Sequence, residues 1–189
     1  MAHAAVDPGQ FLAAERYLGT RVSEALERID PPVIVRIVDL LNRAPAIFVY
    51  GAGRSGIIGR AFAMRLVQTG LRAYVIGESV TPIVERGDVV FILSGGGESS
   101  SSIQTANIVR REGADLVVIT AQAHSKLAHT GTALVALEFP EDADRPRYAP
   151  LGTLFEAASL RLTDALVAES MRSRGENEES MRRRHAIMV

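Results

Sequence analysis

The chain has no cysteine, which excludes disulfides, thiolate zinc sites, iron–sulfur clusters and cysteine nucleophiles. Lysine is nearly absent too: among 21 basic residues Lys126 is the sole lysine, and the rest are arginines. Arginine stays protonated and clamps anions but rarely acts as a base. Schiff-base chemistry would therefore fall to Lys126, in a stretch from Gln122 with no other mark of a site. Charge of one sign is lacking as well. A formal net charge of −1 gives no overall field toward nucleic acid or an anionic membrane. No uncharged apolar run approaches the roughly 18 residues that span a bilayer. The start, Met1 to Asp7, lacks the basic flank and apolar run of a signal peptide, so a cytoplasmic location is expected. No internal repeat is present. What remains is ordinary globular composition, 189 residues with 47% hydrophobic and 23% charged. That length suits one domain, whose folding buries roughly 70% of the extended chain's surface.

Residues 1–45 read as an N-terminal helical extension. Phe11, Leu12, Leu18, Val22, Leu26 and Ile29 recur near helical spacing, Pro31-Pro32 interrupts them, and Val33, Ile34, Ile37, Val38 and Leu41 form a second stripe. The period then changes to short apolar runs: Ala46–Tyr50, Ala73–Ile76, Asp88–Ser94, Asp115–Thr120 and Ala133–Leu137. Helical segments 57–69 and 100–112 lie between them, closed by Gly70 and Gly113. Continuous apolar strands alternating with helices predict a parallel sheet covered on both faces, hence a doubly wound α/β domain over 46–171 with five strands. A polar loop, Glu141 to Arg147, precedes a long helix expected over 151–171. The tail, 172–189, is charged and partly helical. Its Arg182-Arg183-Arg184 is offset by Glu176, Glu178 and Glu179, which reads as a solvated helix face rather than a nucleic-acid patch.

Two glycine loops follow strands. Gly51-Ala-Gly-Arg-Ser-Gly56 fits a GxGxxG pattern in letter and context, yet Arg54 sits inside the turn, and the only candidate ribose-binding acid, Glu78, stands 27 positions beyond Gly51. A smaller phosphorylated ligand is the favoured reading; a plain tight turn and a dinucleotide remain open. Ser94-Gly-Gly-Gly-Glu-Ser-Ser-Ser-Ser102 ends a strand and opens a helix. Glycines let backbone close around a phosphate, helix N-terminal amides point at it, and hydroxyls add donors. One serine cap would explain one serine, not five around a triple glycine. Without GxxxxGK[ST] this is no nucleotide-hydrolysing loop. Both loops lie at strand C-termini, where open α/β sheets bind ligands.

These loops, with Gly77-Glu-Ser-Val-Thr-Pro82, Pro150-Leu-Gly-Thr-Leu-Phe-Glu156 and Arg184-His-Ala186, make the chain resemble the sugar isomerase (SIS) domain family, and within it the 6-phospho-3-hexuloisomerases. The two loops are general to SIS domains; the PLGTLFE and RHA segments are the more specific. The family usually reads SGSGET where this chain has Gly96 for serine and Ser99 for threonine. The second change keeps a hydroxyl, and the first removes one phosphate ligand.

The resemblance implies a flavodoxin-like fold and interconversion of D-arabino-hex-3-ulose 6-phosphate with D-fructose 6-phosphate through a cis-enediol, as in the ribulose monophosphate pathway. It also implies a homotetramer, with the tail reaching a neighbouring subunit's site. No cofactor or metal is demanded, and His124 and His129, five apart, do not make a metal pair. Moving a carbonyl between adjacent carbons needs a base held away from water. Glu156 is the candidate base, against the plainer reading of a glutamate favoured by a helix N-terminus. His185 is the second catalytic candidate, against a solvated tail histidine. Gly53, Arg54, Ser55, Ser94, Gly96 and Ser99 are the candidate phosphate and substrate ligands, and Glu78 and Thr81 either line the pocket or form a turn. Two alternatives stay open: a sugar-phosphate-binding SIS module without chemistry, and an isomerase for another sugar phosphate such as arabinose 5-phosphate.

Overall fold

The computed structural model describes residues 6–187. The readings made on Met1 to Ala5, and on the apolar end Met188-Val189, lie outside that range. Seven helices and five strands follow in order: α1 Pro8–Glu27, α2 Pro31–Arg43, β1 Ile47–Gly51, α3 Arg54–Gln68, β2 Ala73–Val75, β3 Val89–Leu93, α4 Ser100–Glu112, β4 Asp115–Thr120, β5 Ala133–Ala136, α5 Arg145–Tyr148, α6 Thr153–Arg174 and α7 Glu178–Arg183. A 3-10 turn, Ala128–Thr130, precedes β5.

The five strands are those the apolar runs predict. They pair in parallel in the order β2-β1-β3-β4-β5, the doubly wound arrangement expected. Alternate residues feed two cores. Ile47, Val49, Phe91, Leu93, Val117 and Ile119 pack under α3, α6 and the N-terminal helices. Phe48, Val90, Ile92, Leu116 and Val118 face α4 through Ala106 and Val109. Phe62 of α3 meets Phe91 edge-on at 5.1 Å between ring centroids, an arrangement contributing about 0.5–1.5 kcal/mol beyond area burial.

Three boundaries differ from the sequence reading, each for a local reason. Helix α3 starts at Arg54 rather than 57, because Gly53, at φ +57°, turns the strand straight into the helix. The polar loop carries short α5, since the Asp142 carboxylate accepts the N–H groups of Asp144 and Arg145 and closes a turn. Helix α6 runs on to Arg174 and stops at Gly175 in the left-handed conformation. On α1, Val22 and Ala25 are buried, whereas Phe11 and Leu12 of the expected stripe stand exposed.

The tail folds back on the end of α3. Asn177 and Ser180 cap α7 reciprocally. Arg184 pairs with Glu176 at 2.8 Å and donates to the Gln68 carbonyl at 3.3 Å, while Arg174 donates to that of Thr69 at 3.2 Å. Two guanidinium groups thus complement a helix C-terminus. Hydrogen bonds from Arg184 first, then Ser180, lower the Glu176 carboxyl from 4.5 to about 2. A depressed carboxyl stabilises the fold above its unfolded value and loses that contribution as pH falls through the folded one. The melting temperature of the wild-type chain should therefore exceed that of Glu176→Gln near neutrality, the difference closing between pH 4.5 and about 2. A difference that persists at pH 2 would count against the clasp.

Candidate active site

The first glycine turn is compressed where β1 enters α3. A Cβ on Gly56 would stand 2.4 Å from the Gly51 carbonyl oxygen, and one on Gly51 would stand 2.8 Å from the Gly56 nitrogen. Gly59 lets the helix lie on the sheet, since a Cβ there would meet Val49 Cγ1 at 2.8 Å. Around Gly53 a Cβ would meet nothing within 4 Å, so this backbone faces open space. Ser55 follows, half-buried.

The second turn is held from behind. Ser94, buried at the end of β3, donates its N–H to Ile119 and accepts that of Gly97. Gly95 accepts from the Ala121 N–H and the Thr120 hydroxyl, and Gly97 accepts from Leu127 N–H. At Gly97 φ is +64°, and a Cβ would lie 2.0 Å from Ser125 Oγ, so only glycine fits. Gly96 is the opposite case, exposed with no atom near a Cβ. Ser99 is the N-cap of α4, but its hydroxyl turns to that of Ser101 at 2.9 Å and makes no cap bond. Ser102 Oγ, fully buried in the same first turn, has no hydrogen-bond partner among the described residues.

The PLGTLFE segment closes the site. Leu151 has φ +57°, the only non-glycine with positive φ among the described residues, and its side chain is 93% exposed. Backbone held there costs about 1–3 kcal/mol and tends to cluster at working sites. Gly152 leaves room for the Glu156 carboxylate, whose Oε1 would lie 3.0 Å from a Cβ at that position. Phe155 packs on the triple-glycine turn, 3.1 Å from where a Gly95 Cβ would be. Beside it Glu156 Oε2 accepts from Arg54 Nε at 2.5 Å.

Arg54 and Glu156 thus tie the first turn to α6, and Phe155 ties α6 to the second. The meeting point is the C-terminal edge of neighbouring β1 and β3, where the strand order reverses. Helices α3, α4 and α6 all begin here without a side-chain cap, as α2 and α5 do elsewhere, whereas α1 and α7 are capped by Asp7 and Asn177. Uncapped N–H groups at three helix ends favour an anion, at about 0.3–1 kcal/mol per helix on an exposed surface.

Other candidates lie elsewhere. Glu78 pairs with Arg60 at 2.8 Å and Thr81 donates to the Val75 carbonyl, which fits the turn reading for both. His124 and His129 are exposed, and no cluster of three or more potential metal ligands occurs among the described residues. His185 is exposed beside Arg184, at the far end of α3. At 1.5 Å per residue the 15 residues of α3 put about 22 Å between that end and Arg54. His185 is not in this chain's own site.

The sequence reading missed the clamp behind the second turn. Glu98 accepts from the Lys126 backbone N–H at 3.0 Å and pairs with its ammonium at 3.2 Å, placing the sole lysine at the rim. Nothing links residues 28 positions apart until β4 returns alongside β3. An open apolar groove of about 650 Å³ lies elsewhere, between α2 and α6, lined by Leu26, Ile34, Val38, Leu162 and Leu166. It holds none of the groups gathered at the glycine turns.

An open parallel sheet with two glycine turns and a sheltered carboxylate at its switch point defines a doubly wound α/β domain with its candidate site at that edge. The chain belongs to the SIS domain family, whose model matches residues 40–155. Among its relatives, 3-hexulose-6-phosphate isomerase of Methylomonas aminofaciens is 34% identical over 154 residues, 80% of this chain and 84% of that protein. The enzyme of the same name from Methanocaldococcus jannaschii is 32% identical over 153 residues, 81% of this chain and 82% of that one. The fold superimposes with a TM-score of 0.83 on the crystal structure of a hypothetical protein from Methanococcus jannaschii, from which a 3-hexulose-6-phosphate isomerase function was inferred. That pair is 27% identical and covers 91% of this chain and 97% of the other. The fold and the family resemblance read from the motifs are both met. No helix among the described residues is long and apolar enough to cross a membrane.

Proposed function

We propose that the chain is a 6-phospho-3-hexuloisomerase, interconverting D-arabino-hex-3-ulose 6-phosphate and D-fructose 6-phosphate in the cytoplasm, as a step of the ribulose monophosphate pathway. The observation that carries this reading is the convergence of Arg54, Glu156 and the Gly95 turn at one sheet edge. The substrate phosphoryl group sits on the amides and hydroxyls of Gly53, Ser55, Ser94, Gly96 and Ser99. Glu156 takes the proton from C2 of the open-chain 3-ketose, and that electron pair forms the C2=C3 bond of a cis-enediol. Return of the proton to C3, with O3 protonated and O2 deprotonated, leaves the carbonyl at C2. The relatives named as 3-hexulose-6-phosphate isomerases support this substrate. Incubating fructose 6-phosphate with the purified chain in heavy water tests it: deuterium should enter at C3, and the 3-hexulose should appear. Binding without exchange would instead favour a sugar-phosphate sensor, and turnover of arabinose 5-phosphate alone would favour the other isomerase.

His185 is assigned to a neighbour's site, in a homotetramer, where it moves protons on the substrate oxygens. Its distance from its own Glu156 supports this, as do exposed Phe11 and Val35 and the apolar groove, which suit contact between copies. Mixed assemblies of Glu156→Gln and His185→Ala chains should regain activity that neither variant has alone. Mixing without recovery would remove His185 from the site.

Gly96 gives a gain-of-function prediction. Its surroundings admit a side chain, so Gly96→Ser should fold as well as wild type and supply the missing hydroxyl. One more hydrogen bond to a charged group lowers KM by about tenfold. An unchanged KM would place the phosphate away from this residue.

A further inference from the structure

The pairing of Arg54 with Glu156 has a cause that neither helix supplies. Arg54 is the first residue of α3, where the positive end of the helix disfavours a cation. Glu156 stands in the first turn of α6, already favoured by that helix end. The pair also joins unequal environments: the Arg54 side chain is 71% exposed and that of Glu156 13%. A guanidinium has five N–H donors, and among the described residues Arg54 places only Nε–H, on Glu156. Its mostly exposed stem is free to turn from that single bond toward a more highly charged acceptor.

An anion seated on the two glycine turns arrives beside that fork. Phosphoryl oxygens match a guanidinium in two-point geometry, as a carboxylate does, and carry more charge. We propose that Glu156 and the incoming sugar phosphate compete for the Arg54 guanidinium, so that substrate binding uncovers the carboxylate that does the chemistry. This rests on the reading of Glu156 as the base. Arg54 then has two roles: in the empty site it holds Glu156 in the space left by Gly152, and in the complex it binds substrate directly. The carboxylate is exposed to reaction only when a ligand is present to receive the proton back. Part of the substrate's binding energy is used in breaking the ion pair.

Calorimetric titration of fructose 6-phosphate into the full chain and three variants tests the competition. Glu156→Gln replaces a charge-assisted partner by a neutral one, so it should bind about tenfold more tightly than wild type. Arg54→Met should bind more weakly, and Glu156→Gln added to it should change affinity less than twofold. Should Arg54→Met fail to fold, Arg54→Gln takes its place. A Glu156→Gln chain that binds no tighter than wild type overturns the proposal, as does an equal gain in both backgrounds. Failure of the underlying reading looks different. A wild-type chain that binds no fructose 6-phosphate at millimolar concentration removes both the isomerase and the competition, whereas the expected coupling with no turnover removes the isomerase alone.

Discussion

Replacing Glu156 by glutamine should lower kcat by about a thousandfold, within the range carried by a positioned acid–base group, while leaving the chain folded and able to hold fructose 6-phosphate. The substitution is close to isosteric in the space left by Gly152. Phe155 and Leu154, both buried, keep the turn of α6 on its core. What disappears is the group that carries hydrogen between C2 and C3. Coupled spectrophotometry of fructose 6-phosphate formation measures kcat, and exchange in heavy water reports the proton step directly. Loss of both with binding retained identifies an enzyme, because a sensor has no turnover to lose. A variant that exchanges deuterium at the wild-type rate would remove Glu156 as base.

The second large effect is on the fold. Gly56→Ala should lower the melting temperature by about 6–12 °C, corresponding to about 3 kcal/mol in a domain of this size. The new methyl meets a backbone carbonyl at 2.4 Å, not the end of a mobile side chain, so β1 or α3 must shift. The shift would open the first turn and carry Arg54 away from Glu156, so activity should fall with stability. Gly53→Ala is the informative contrast: nothing crowds that position, and only its φ of +57° opposes a side chain. A thermal melt in which Gly56→Ala matches wild type would mean that the turn relaxes more easily than its contacts imply.

Strand number, strand direction and both glycine turns were legible in the sequence because each depends on short-range pattern. Apolar runs such as Val89–Leu93 and the glycines at their ends are local features, and a parallel sheet follows from their alternation with helices. The nearness of Glu156 to the turns was readable only through the family motif, since Arg54 and Glu156 are 102 positions apart. Composition gives no sign of the Glu98–Lys126 clamp or of the arginine clasp on α3, because both form between elements that meet only after the sheet is assembled. The exposed start of α1 was misread for a related reason. Helical spacing marks an apolar face but not what lies against it.

Open-chain sugar phosphates condense readily with free amines, and a protein that gathers them risks its own slow glycation. Guanidinium groups bind the same anions without forming imines, so a surface stocked with arginine is chemically inert toward such a cargo. Lys126, the one side-chain amine, stands at the rim with Glu98 already occupying it.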